Sequence, residues 1–202
     1  PVTMWNLIVR KGTPPLRNSR YCCSELKEPG GKGKIVVTGV RWTESARRKE
    51  SADVVKFIGK PKGTQKIADE LGVEYKTTKQ GGIILNDDND VNRRMVEHCY
   101  RTRKTMVNPI VDWSDEDVWD FLSYYGCKSN PLYECGFKRI GCIGCPMAVK
   151  HMRNLEFELY PKYKQAYIRA FDKMLQKREI EGRPTTLKWA DGQAVFDWWI
   201  SV

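Results

Sequence analysis

Two pairs of cysteines constrain this chain more than any other feature. Cys22 and Cys23 are adjacent, whereas Cys142 and Cys145 stand three residues apart and about 120 residues further on. In Gly141-Cys142-Ile143-Gly144-Cys145-Pro146 two thiolates at this spacing can reach one metal centre, and Gly144 permits the backbone angles of a tight ligand loop. In Tyr21-Cys22-Cys23-Ser24 two more thiolates are available. Neighbouring side chains on a strand point to opposite faces, so the tandem pair is expected at a turn or a helix start. Lys138 and Arg139 precede Cys142, and cations so placed lower thiol pKa values and offset the charge of a four-thiolate centre.

Read from the residues alone, Cys-x-x-Cys also suits a thioredoxin-like dithiol. The tandem pair also suits small buried hydrophobes, and a four-cysteine site holds zinc as well as an iron–sulfur cluster. Cys135 is a substitute for one of the tandem ligands. Cys99 and Cys127 fall within apolar helical patterns and are assigned structural roles. Seven cysteines, an odd number, fit poorly with a fully paired secreted framework, which points to the reducing cytoplasm.

The 202 residues, 41% hydrophobic and 11% aromatic, suffice for a globular core. The apolar runs are only a few residues long and the start, Pro1 to Arg10, lacks the sections of a secretory signal, so no membrane insertion is expected. A formal charge of +10 favours an anionic partner such as a nucleotide, a nucleic acid or an anionic cluster. Lys173, Lys177 and Arg178 fall on the polar side of a helical pattern and read as a solvated face.

Lys34 to Val40 is a β-branched run bounded by glycine, as expected of a strand in a sheet covered on both faces. Thr64 is placed to cap a helix over 65–71 with Gly72 as its stop, Ile83-Ile84-Leu85 reads as a second strand, and Asp90 opens a helix through Val91, Met95, Cys99 and Arg103. Met106 to Val111 is extended, because a residue before proline is pushed away from helical geometry. Ser114 caps a helix with Asp115, Glu116 and Asp117 in its first turn, burying Val118, Trp119, Phe121 and Leu122 and ending at Gly126. Tyr160, Tyr163, Tyr167, Phe171, Met174 and Leu175 recur at helical spacing and read as core. Helices and strands alternate, which gives an α/β class, with a boundary near residue 150 and a helical extension over 151–202.

Four blocks together resemble the phosphoadenosine phosphosulfate (PAPS) reductase family: Arg20 to Lys27, Gly39 to Arg48, Asn108 to Trp113, and Asn130 to Pro146. The resemblance implies an adenine-nucleotide α-hydrolase-like fold over residues 1–150, a parallel sheet flanked by helices. It is similar in particular to the adenylylsulfate reductase branch, in which tandem Cys plus Cys-x-x-Cys hold a [4Fe–4S] cluster, and so implies Cys22, Cys23, Cys142 and Cys145 as ligands. By the same carry-over Gly39, Arg41, Glu44, Ser45 and Arg48 surround the phosphate and sulfate of the nucleotide, with Glu44 orienting the arginines and Arg139 approaching from the cluster side. A glycine after a strand, followed by hydroxyl and guanidinium groups at a helix start, is chemically suited to an anion.

Two family segments are absent from the sequence: the Ser-Gly-Gly-Lys-Asp-Ser type loop and the Glu-Cys-Gly segment that carries the reductase nucleophile. The first absence leads to the expectation that the chain begins partway through the fold. The second argues against ordinary sulfonucleotide reduction, because no cysteine follows Cys145. Three readings follow. One is a cluster-bearing sulfonucleotide reductase-like or sulfur-transfer enzyme, partnered by an adenine nucleotide or sulfonucleotide and a reductant protein such as thioredoxin. The second is a relative of the DNA phosphorothioation sulfur-transfer proteins, and the third a metal-stabilised binding module without catalysis.

Overall fold

The computed structural model describes residues 2–27, 29–58, 64–78, 82–85, 104–183 and 189–202. They form two compact units, one of Pro1–Pro29 with Asn130–Val202 and the other of Gly30–Ser129. The helix expected from Asp90 lies outside the described residues.

The unit over 30–129 carries a five-stranded sheet in the order β1-β5-β2-β4-β3, where β1 is Ile35–Val37, β2 Val55–Ile58, β3 Lys76–Thr77, β4 Ile83–Leu85 and β5 Lys104–Val107. The α/β class holds, but the parallel pairing expected throughout is confined to β1 with β5; β5–β2, β2–β4 and β4–β3 are antiparallel. Val55 and Phe57 of β2 alternate onto the buried face, where they pack with Ala68, Ile83 and Leu85. The strand at 83–85 is buried throughout, as its apolar run requires. The expectation fails for β1. Among the described residues it sits at the sheet edge and pairs only with β5, so Ile35 and Val37 are 46% and 70% exposed.

Helix α3, Thr64–Glu70, follows β2 and includes Thr64 itself. The extended run expected to Val111 stops at Val107. Beyond it the Asn108 carbonyl accepts from the Val111 N–H at 3.2 Å and turns the chain. Asn108 is buried and joins three segments: its amide donates to the Asp53 carbonyl at 2.6 Å, its N–H to the Val54 carbonyl at 2.7 Å, and its side-chain oxygen accepts from the Thr38 hydroxyl. Helix α4, Asp115–Tyr124, starts at the expected Ser114 cap, where Ser114 Oγ accepts from the Asp117 N–H and the Asp117 carboxylate from the Ser114 N–H. Its apolar residues are not the buried set expected from their spacing. Trp119 and Phe121 are 44% and 42% exposed, because Phe121 stacks on Trp113 and Tyr125 at the surface.

The other unit is helical: α1 Met4–Lys11, α5 Lys150–Leu159, α6 Pro161–Ile180 and α7 Gly192–Ser201. Ile8 of α1, Phe157 of α5, Tyr167, Ala170, Phe171 and Met174 of α6, and Val195, Phe196 and Trp199 of α7 form one core. Each large side chain buried there contributes about 1.5–3 kcal/mol relative to exposure. The aromatic stripe on α6 is core as expected, except that Tyr163 stays exposed. Lys177 and Arg178 are more than a solvated face. Arg178 donates to the Gly12 carbonyl at 2.6 Å and Lys177 to the Arg10 carbonyl at 3.5 Å, satisfying carbonyls at the end of α1. Among the described residues, no helix is long and apolar enough to cross a membrane.

Candidate metal centre

Cys22 and Cys23 stand where a helical turn begins at Tyr21 and continues as a π-helical stretch, Cys23–Lys27. This is the turn position expected for the pair. Such π turns recur at functional sites because the wider turn re-aims side chains. The Tyr21 hydroxyl donates to the Thr13 carbonyl at 2.7 Å, and Glu25 accepts from Arg10 at 2.6 Å and pairs with Lys11 at 2.9 Å. The segment is thereby tied to the end of α1. Lys11 first, then Arg10, hold the Glu25 carboxyl below its usual pKa.

The second pair lies in a turn closed by the Cys145 N–H on the Cys142 carbonyl at 3.0 Å. Gly144 occupies its left-handed position, with φ +71°, and a Cβ there would lie 2.7 Å from Phe157, 2.9 Å from Trp199 and 3.2 Å from Tyr167. Glycine is therefore required twice over, by backbone and by space. Two side chains fix the loop from below: buried Glu156 accepts the Gly144 N–H at 2.7 Å, and the Tyr167 hydroxyl donates to the Ile143 carbonyl at 3.0 Å.

The two segments are coupled electrostatically. Burial, then Cys23, pushes the Cys22 thiol up to about 11, and Cys145 adds to the rise. The Tyr167 phenol is raised chiefly by burial, then by Cys22, Cys142 and Cys145. Cys22, Cys23 and Cys145 are half-buried and Cys142 is exposed. The same unit holds Cys135, exposed after a 3₁₀ turn over Pro131–Tyr133. Cys127, expected inside a helix with a structural role, is exposed beyond the end of α4, and Cys99 lies outside the described residues.

Among the described residues, no group of three or more His, Cys, Asp or Glu side chains gathers around a point fit for a single metal ion. The thiols are instead spread along two segments, both of which act electrostatically on Tyr167. Thiolates from a tandem pair and a Cys-x-x-Cys turn are the donor chemistry of an iron–sulfur cluster, which holds its ligands further apart than one ion does. The residues present thus suit a cluster by donor type and loop geometry.

Cationic surroundings come from a source the sequence reading missed. Lys138 and Arg139 are exposed, whereas Arg153 of α5 is 3% exposed and acts electrostatically on Cys145. Arg153 and Glu156 are one turn apart on the face that also bears Phe157.

The residues assigned to an anion lie in the sheet unit. Arg41 donates to Asp115 at 2.6 Å and to the Trp113 carbonyl at 3.5 Å. Arg48 pairs with Glu44 at 2.8 Å, and the Ser45 hydroxyl caps α2, Ala46–Ser51, by accepting the Arg48 N–H at 3.3 Å. Gly39 is exposed in the segment after β1. Arg139 belongs to the helical unit. Both guanidiniums thus already hold carboxylates, positions an anionic ligand would contest.

A family model for the phosphoadenosine phosphosulfate reductase domain matches residues 23–148. The chain is 28% identical over 145 residues to an uncharacterized 37.8 kDa protein in the gpa 5′ region of Escherichia phage 186, covering 72% of this chain and 35% of the phage protein. It is 40% identical over 43 residues to an adenosine 5′-phosphosulfate reductase of Allochromatium vinosum, covering 21% of this chain and 17% of that enzyme. To the adenosine 5′-phosphosulfate reductase of Neisseria meningitidis serogroup A it is 46% identical over 43 residues, covering 21% and 18%. The chain therefore spans about a third of the phage relative and under a fifth of the two reductases. No solved structure matches it.

Proposed function

This chain belongs to the phosphoadenosine phosphosulfate reductase family, and on that premise we propose that it binds a [4Fe–4S] cluster through Cys22, Cys23, Cys142 and Cys145 and serves sulfonucleotide reduction or sulfur transfer. The observation that carries the reading is that Tyr167 holds the Ile143 carbonyl of the Cys-x-x-Cys turn at 3.0 Å and feels the charge of Cys22, Cys142 and Cys145, from segments far apart in sequence. Bound there, the cluster would supply a redox-active centre. The chain's own residues fix the ligand loop through Glu156 and Tyr167 and surround it with the aromatic wall of Phe157 and Trp199.

The nucleotide phosphate or sulfate would be held by Arg41, Ser45 and Arg48, with Asp115 and Glu44 giving up their arginines to it. Electrons would come from a thioredoxin-type protein. The test is titration of the anaerobically prepared protein with adenosine 5′-phosphosulfate and its 3′-phosphorylated form. Saturable binding of either supports the reading, and absence of both from a protein with its cluster in place contradicts it.

The charge of +10 favours a second reading, sulfur transfer to DNA in the manner of phosphorothioation proteins. Salt-dependent binding of duplex DNA in preference to sulfonucleotides would select it.

A further inference from the structure

Arg153 is the charged side chain buried deepest in the helical unit. Its two terminal nitrogens donate to main-chain carbonyls at the end of α7: Nη1 to Trp199 at 3.1 Å, and Nη2 to Ile200 at 3.0 Å and Val202 at 3.4 Å. The guanidinium lies 5.7 Å from the centroid of the Trp199 ring, the same ring that touches the Gly144 position. Its Nε is buried and has no acceptor among the described residues. A guanidinium keeps its charge when buried, so this cation must be answered by negative charge nearby. Glu156, one turn along α5, is already engaged by the Gly144 N–H. Through the Trp199 ring and Glu156 the cation is linked to Gly144, the neighbour of Cys145, and Cys145 and Glu156 are the two groups that favour the charged form of Arg153.

We propose that Arg153 is the charge-compensating residue of the cysteine centre, a buried cation that offsets the negative charge of the thiolates and raises the reduction potential of whatever cluster they hold. This role rests on the metal-centre reading above. Arg153 lies beyond residues 23–148, so the helical region supplies it from outside the matched family domain. A fixed cation favours the form of the centre carrying the extra electron, and low local dielectric strengthens the effect.

The test is redox titration of the anaerobically purified full chain, followed by electron paramagnetic resonance, in wild type, Arg153→Lys and Arg153→Gln. At a fixed solution potential, Arg153→Gln is expected to hold about tenfold less of the reduced centre than wild type, whereas Arg153→Lys, which keeps the charge, stays within about threefold. Loss of packing alone would not separate the two variants in this way. Where the glutamine variant does not fold, electron–nuclear double resonance on reduced wild type labelled with ¹⁵N-arginine decides: a nitrogen coupling lost in Arg153→Lys supports the role, and no coupling overturns it. An iron-replete protein with equal potentials in all three forms overturns the role of Arg153 alone. A wild type without iron or sulfide overturns the metal centre and this role with it.

Discussion

The main-chain N–H of Gly144 donates to the carboxylate of Glu156 at 2.7 Å, away from solvent. This bond joins the middle of the Cys-x-x-Cys turn to α5 and sets where Cys142 and Cys145 stand. Burial pushes the Glu156 carboxyl up, while the Gly144 N–H and then Arg153 favour its ionised form.

Gly144→Ala tests the packing of that turn. The added methyl meets Phe157, Trp199 and Tyr167 at 2.7–3.2 Å in a left-handed conformation. Overpacking and backbone strain together should cost about 3 kcal/mol in denaturant unfolding. A loss below about 0.5 kcal/mol would show that the loop yields freely.

Cys22 predicts a pH dependence. Its thiol pKa is raised to about 11, so in the metal-free protein it is protonated at neutral pH and must lose that proton on binding metal. Apparent metal affinity should therefore rise with pH towards about 11 and fall in acid. In metal-free protein the alkylation rate of Cys22 should still climb between about pH 10 and 11, where an ordinary thiol of pKa about 8.5 has levelled off. A plateau near the ordinary value would remove the argument.

The anion site makes a paired prediction. Arg41→Ala should weaken sulfonucleotide binding by about tenfold to a hundredfold, as loss of a charged hydrogen bond implies. Asp115→Asn should strengthen it, because Asp115 holds Arg41 at 2.6 Å and competes for the same guanidinium. Calorimetric titration of the two variants reads both signs. Equal affinities in Arg41→Ala and wild type would take Arg41 out of the site.

What the sequence made legible depended on local chemistry. The Ser114 capping box, the Ile83–Leu85 strand and the helical stripe through Tyr167 and Phe171 each follow from short-range rules, and each is present. The turn at Cys22-Cys23 followed from side-chain geometry alone. The exposure of Val37 and Trp119 did not follow, because an apolar residue reads the same at a sheet edge or on an exposed helix face as it does in a core. Arg153 and Glu156 were illegible for the opposite reason: charged residues read as surface, and only the fold reveals that α7 and the Gly144 turn cover them. The commitment of Arg41 to Asp115 spans more than seventy residues, a distance no local pattern reports.

The most direct measurement is iron, sulfide and zinc analysis of the intact protein purified without oxygen, in wild type and in single serine variants of Cys22, Cys23, Cys142, Cys145 and Cys135. The account predicts iron and sulfide in the proportions of a [4Fe–4S] cluster in wild type and Cys135→Ser, with loss in each of the other four. Stoichiometric zinc, or a cluster that survives Cys23→Ser and disappears in Cys135→Ser, would contradict it.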